Sequence, residues 1–119
     1  HESETGQATS EMYAFRSQLE QNFRYWHKVQ DYANALKISE KQLSDMVKKN
    51  TGQNVLEIIH SRILLEAKRL LIHNELSAKE IGYFLNFEDP SHFIKFFKKG
   101  TGSTPLVFRE ETRKKYHER

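Results

Sequence analysis

Lys98-Lys99-Gly100-Thr101-Gly102 repeats, fifty positions on, the phrase Lys48-Lys49-Asn50-Thr51-Gly52. Each copy closes a short segment whose apolar residues recur at helical spacing, and each segment follows another short helical segment and a tight turn. Glycine just past a helix end tolerates the left-handed backbone that closes it, and lysines in the last turn complement the negative end of the helix dipole. The repeat therefore predicts two helix–turn–helix units whose second helices end alike. Such a chain presents two similar helices to one repetitive partner, and duplex DNA is the obvious repetitive partner.

The internal alignment supports the duplication. At an offset of fifty, Leu43 matches Phe93, Met46 matches Phe96 and Val47 matches Phe97. The first helices match better at forty-nine, Ala33 with Gly82 and Leu36 with Leu85. The second turn is then one residue longer. A small residue at Ala33 and Gly82 lets the two helices of each unit cross closely, as a short-turned, steeply crossed pair requires.

Working outward, Met12, Phe15, Leu19 and Phe23 predict a helix over about Glu11–Phe23. Residues 1–9 are polar and are read as disordered or as a linker, leaving 10–119 as the folded domain. The first helix–turn–helix is expected at about 28–52, with Ser39 and Gln42 forming a capping box. A long linking helix follows at about 55–73, carrying Leu56, Ile59, Ile63, Ala67 and Leu70 in one stripe. The second unit is expected at about 78–102, with Asn86 at a left-handed turn position and Asp89-Pro90 starting its second helix. A terminal helix at about 105–115 is expected to turn Leu106 and Phe108 inward. Trp26 reads as a packing anchor, and His60 and His73 as partly buried. Nothing alternates with a strand's period of two. The expected fold is all-α: seven helices forming two helix–turn–helix subdomains joined by a long central helix.

Composition narrows the function. Apolar residues make up 37% of the 119, enough for a core, and cysteine is absent, which excludes disulfides and thiolate metal sites and fits a reducing cytoplasm. No apolar run reaches the roughly 18 residues that span a bilayer. Residues 1–22 carry four acidic residues against Arg16, so residues 23–119 hold 18 basic and 12 acidic residues, a net of +6 that suits an anionic partner. The six histidines form no i, i+4 pair and no metal-ligand spacing. No phosphate-binding loop or nucleophile elbow occurs. Neither catalysis, nor a cofactor, nor a metal is expected. The competing expectation is a helical protein-interaction module without direct DNA contact.

The stretch Arg62-Ile63-Leu64-Leu65-Glu66-Ala67-Lys68-Arg69-Leu70-Leu71, then Lys79-Glu80-Ile81-Gly82, Phe87-Glu88-Asp89-Pro90-Ser91-His92-Phe93, Phe97-Lys98-Lys99, Thr101-Gly102 and Thr104-Pro105, resembles the AraC/XylS family of bacterial transcription regulators. The resemblance covers about 28–113 and is strongest over 62–109. It implies sequence-specific binding to double-stranded DNA, with two recognition helices in successive major grooves, and contact with RNA polymerase where the protein activates. It also implies a longer cytoplasmic regulator, of which this chain, lacking an initiator Met, is the DNA-binding piece. The piece is expected to be monomeric, with any dimerisation left to the full regulator. By the same resemblance Lys41, Ser44 and Asp45 fall at base-reading positions of the first unit, and Ser91, His92 and Lys95 at those of the second. Lys48, Lys49, Lys98 and Lys99, with Ser39, are expected at phosphates. Asp45 stands where relatives often carry a basic residue. Asp45 accepts from a cytosine amino group, stands as a solvated residue, or pairs with Lys41 or Lys49 along the helix. Arg62 on the linking helix either reaches a phosphate or braces Glu66.

Overall fold

The structure, a computed structural model, describes the backbone of residues 2–117 and the side chains of residues 10–115. Among the described residues there are seven helices and no strand: α1 (Glu2–Asn22), α2 (Val29–Leu36), α3 (Glu40–Thr51), α4 (Val55–His73), α5 (Ala78–Phe84), α6 (Pro90–Thr101) and α7 (Pro105–His117). The backbone of 2–9, where the polar composition predicted disorder or a linker, forms the beginning of α1. Adding residues to an existing helix costs far less than nucleating one. The side chains of 1–9 lie outside the described residues.

Local chemistry places the helix starts. Ser39 accepts from the Gln42 amide at 3.0 Å while Gln42 Oε1 accepts from the Ser39 amide at 2.9 Å. Asn54 and Glu57 make the same reciprocal pair ahead of α4, and Ser77 and Glu80 make it ahead of α5. Each pair satisfies amides that a helix N-terminus leaves open.

The chain divides into two units, the first ending at Arg62 and the second beginning at Ile63, so α4 contributes to both. In the first unit Phe15, Tyr32, Leu43 and Val47 are fully buried. Phe15 meets Tyr32 edge-on at 5.8 Å. Trp26 packs edge-on against the same ring at 5.5 Å, and its carbonyl accepts from the Tyr32 hydroxyl at 2.9 Å, in line with its expected packing role. Arg62 reaches a partner on α1, forty-two positions away. Its guanidinium donates twice to Glu20, both at 2.8 Å, and lies 3.9 Å over the Phe23 ring. Glu66 accepts from Arg69 at 3.0 and 2.6 Å.

The second unit is organised by rings. Phe87, Phe93, Phe97 and Phe108 form a chain with centroids 5.4–6.1 Å apart. Gly82 makes a close approach where α5 meets α6: a Cβ there would lie 3.1 Å from the Phe93 Cβ, and its neighbours would have to give by a few tenths of an ångström. At Gly100 a Cβ would come within 2.7 Å of a Leu64 methyl. Arg109 closes the C-terminal end of α4, donating to the carbonyls of Leu71 at 2.8 Å and Asn74 at 2.9 Å.

Several orientations depart from the sequence pattern. Leu106 is 61% exposed, not inward, because Pro105 fills the buried position beside it and Phe108 takes the ring contact. Leu56 is also exposed; its neighbour Val55 is the buried residue of that turn. On α4, apolar on several sides, spacing alone does not select the inward row. His60 is half-buried as expected, whereas His73 is exposed.

Candidate nucleic-acid interface

The turn of each helix–turn–helix unit is built from the same bonds. Lys37 at φ 58° and Asn86 at φ 69° are the non-glycine residues in the left-handed region among those described. After Lys37, the Ile38 amide donates to Ala33 O at 3.1 Å; after Asn86, the Phe87 amide donates to Gly82 O at 2.9 Å. The amide before each closes a tighter ring over three residues, Lys37 to Asn34 O and Asn86 to Tyr83 O. This paired closure is the Schellman pattern, and its outer acceptor is in both units the small residue at the helix crossing. The N-caps then fall at Ser39 and Asp89. One residue separates Lys37 from Ser39 and two separate Asn86 from Asp89, which locates the extra residue expected from the internal alignment.

The exits of α3 and α6 are also built alike. The Thr51 hydroxyl donates to Val47 O at 2.7 Å and accepts from the Gln53 amide at 3.1 Å. The Thr101 hydroxyl donates to Phe97 O at 2.9 Å and accepts from the Ser103 amide at 3.1 Å. Gly52 and Gly102 follow at φ 74° and 86°, their amides donating to Lys48 O and Lys98 O. The threonine of the repeated phrase is thus a hydroxyl bridge, a role its periodicity did not reveal.

Between entrance and exit, each second helix turns one row outward. Lys41, Ser44, Asp45 and Lys48 follow one another at spacings of three, one and three on α3, and Ser91, Lys95 and Lys98 at four and three on α6, with His92 on the flank. All are exposed except Ser44, which is half-buried; Lys49 and Lys99 are exposed at the ends. Ser39 is exposed too, but its oxygen and amide serve the capping box, so its hydroxyl hydrogen is the group left to donate. Ile94, 36% exposed, matches Ser44 at the fifty-residue offset and brings an apolar group to the flank of the α6 row. Consistent use of that offset would have found it.

The two rows differ in charge. Helix α3 carries Glu40 and Asp45 against Lys41, Lys48 and Lys49, a net of +1, whereas α6 carries Lys95, Lys98 and Lys99 and no acidic residue. Lys41 Nζ lies 3.0 Å from Asp45 Oδ2, both side chains largely in solvent. Of the partners open to Asp45 along the helix, the structure selects Lys41 over Lys49. At the start of α6, Asp89 accepts from the Ser91 amide at 2.8 Å. That bond, with smaller help from the charges of His92 and Lys95, holds the Asp89 carboxyl below its ordinary range.

Because the folded carboxyl is the stronger acid, its stabilisation of α6 is present above the unfolded value near pH 4 and disappears as pH falls through the folded value. Asp89→Asn keeps an N-cap acceptor but cannot titrate. Thermal melts at pH 5 and pH 3 should show a smaller acid-induced drop in midpoint for this variant than for the parent protein. An unchanged drop would assign the acid sensitivity to other carboxylates.

Paired helices, short turns and exposed basic rows define a helix–turn–helix DNA-binding domain. Residues 32–111 match the model of a helix-turn-helix domain family. The chain belongs to the AraC/XylS family of transcription regulators. It is 29% identical over 83 residues to the HTH-type transcriptional activator RhaR of Cronobacter sakazakii, a match that takes in 70% of this chain and 29% of that protein. This chain therefore spans less than a third of that relative. Among solved structures it is similar to the C-terminal domain of the two-component response regulator yesN from Fusobacterium nucleatum, at 30% identity and a TM-score of 0.74, covering 80% of this chain and 93% of the other. The DNA-binding domain of AdpA, solved in complex with a target DNA, shares the fold at 22% identity and a TM-score of 0.77, over 88% and 94% of the two chains. Among the described residues no helix is long and apolar enough to cross a membrane.

Proposed function

We propose that this domain binds double-stranded DNA sequence-specifically, each unit laying its second helix in the major groove and the two units occupying successive grooves. Lys41, Ser44 and Asp45 on α3, and Ser91, His92 and Lys95 on α6, face base edges. Ser39, Lys48, Lys49, Lys98 and Lys99 hold phosphates, which give affinity and register without sequence information. The observation that carries this reading is the pair of outward rows, held between matching turns and matching exits. The domain acts as a cytoplasmic monomer. Any dimerisation, and the contact with RNA polymerase through which an activator works, belongs to the longer regulator.

Two single variants separate the roles. Lys95→Ala should change the ranking of duplex sequences, with a loss of about 1–3 kcal/mol on those whose base it reads. Lys98→Ala should weaken all duplexes alike and reduce the dependence of log affinity on log salt by about one. Anisotropy titrations over several duplexes and salt concentrations read both quantities. Identical behaviour of the two variants would refute the division of labour, and no duplex binding at low salt would refute the DNA reading.

A further inference from the structure

We propose that Asp45 determines the specificity of the first recognition helix by exclusion, with Lys41 as its counter-charge. The inference rests on the DNA reading above. In the free protein Lys41 Nζ and Asp45 Oδ2 are 3.0 Å apart and both side chains are well exposed, at 85% and 70%. A solvent-exposed i, i+4 pair of this kind stabilises a helix only slightly, so fold stability gives little reason for a carboxylate on the outward row. Its effect at a DNA surface is larger. There the carboxylate meets the negative potential of the phosphates and loses part of its hydration.

A carboxylate has no hydrogen to donate and can only accept. In the major groove the cytosine N4 amino group is the donor with no acceptor beside it on the same base; adenine N6 also donates but sits next to the N7 acceptor, and guanine O6 and N7 and thymine O4 are acceptors that repel the carboxylate. Asp45 thus leaves a cytosine-bearing duplex nearly unpenalised and disfavours duplexes offering an acceptor there. Discrimination of this type comes from a repulsive element and not from added attraction. Lys41 is its second half. While paired, its charge is offset at the DNA surface; when Asp45 is removed, it becomes a free cation on the same turn. Helix α6 has lysine at the position matching Asp45 and no acidic residue anywhere along it, so the device is confined to the first unit.

The test compares the unchanged protein, Asp45→Ala, and Lys41→Ala combined with Asp45→Ala, on two duplexes. One is selected from a random pool by the unchanged protein; the other is of scrambled sequence. Asp45→Ala should raise affinity for the scrambled duplex about tenfold and for the selected one by less than about twofold, the scale of one disfavoured base pair. The double variant should lose part of the gain on the scrambled duplex, because the freed lysine supplies it. Reselection with Asp45→Ala should lose the cytosine preference at one base pair and keep the preferences owed to α6. Equal gains on both duplexes would overturn the inference and reduce Asp45 to a diffuse charge, leaving DNA binding intact. Absence of binding to either duplex by all three proteins would instead overturn the DNA reading beneath it.

Discussion

Phe93→Ala is expected to destabilise the second unit by about 3–5 kcal/mol, the usual cost of truncating a buried phenylalanine. Phe93 is fully buried, its ring packs against those of Phe87 and Phe97, and its Cβ is the atom against which Gly82 closes. Truncation therefore opens a void at the point where α6 is aimed. A unit of 57 residues, counted from Ile63 to Arg119, has a stability on the order of 3–9 kcal/mol. The substitution thus removes a large part of the whole. Urea denaturation followed by circular dichroism measures the loss. A change under about 1 kcal/mol would mean that neighbouring rings collapse into the gap, and that the aim of α6 does not depend on this ring.

The second large effect concerns charge. Replacing Lys48, Lys49, Lys98 and Lys99 together by glutamine should flatten the slope of log affinity against log salt by about three to four, at close to 0.9 for each phosphate no longer neutralised. Affinity at low salt should fall about a thousandfold on the same basis. Glutamine keeps helix propensity and length, so the helices should survive with only the small loss expected from charge at a helix end. Circular dichroism checks that they do. If the slope is unchanged, these lysines serve solubility and the helix dipole, and other cations carry the phosphates. A flattening of about two would assign the phosphates to one lysine of each pair.

What was legible in the sequence follows from the range of the forces involved. The start of α4 at Val55 and its end at His73, the capping box at Ser39, and the left-handed Asn86 all depend on residues within four positions, and each was readable from the string. The left-handed Lys37 was not, because lysine carries no signal for that conformation and is held there by the two closing bonds to Asn34 and Ala33. Nor was the pairing of Arg62 with Glu20, forty-two positions away: proximity of that kind is created by packing. Leu106 misleads because an apolar residue in a first turn satisfies a helical period whether or not a neighbour covers it. For the candidate interface, the duplication supplied the helices and the family resemblance supplied the positions, most of which are exposed. The sequence left four fates open to Asp45, and in the free protein geometry sets it beside Lys41.

The matching hydroxyl bridges of Thr51 and Thr101 reach beyond stability. Both second helices are twelve residues long and finish in the same bonded exit. The outward positions between those fixed ends behave as a cassette: side chains at 41, 44 and 45 could be exchanged with those at 91, 94 and 95 without disturbing what holds either helix. The entrances are not interchangeable in the same way, since the extra residue before Asp89 sets a different phase. On the DNA reading proposed above, a lineage carrying this domain can therefore rewrite its target one half at a time, keeping one foothold on DNA while the other is revised.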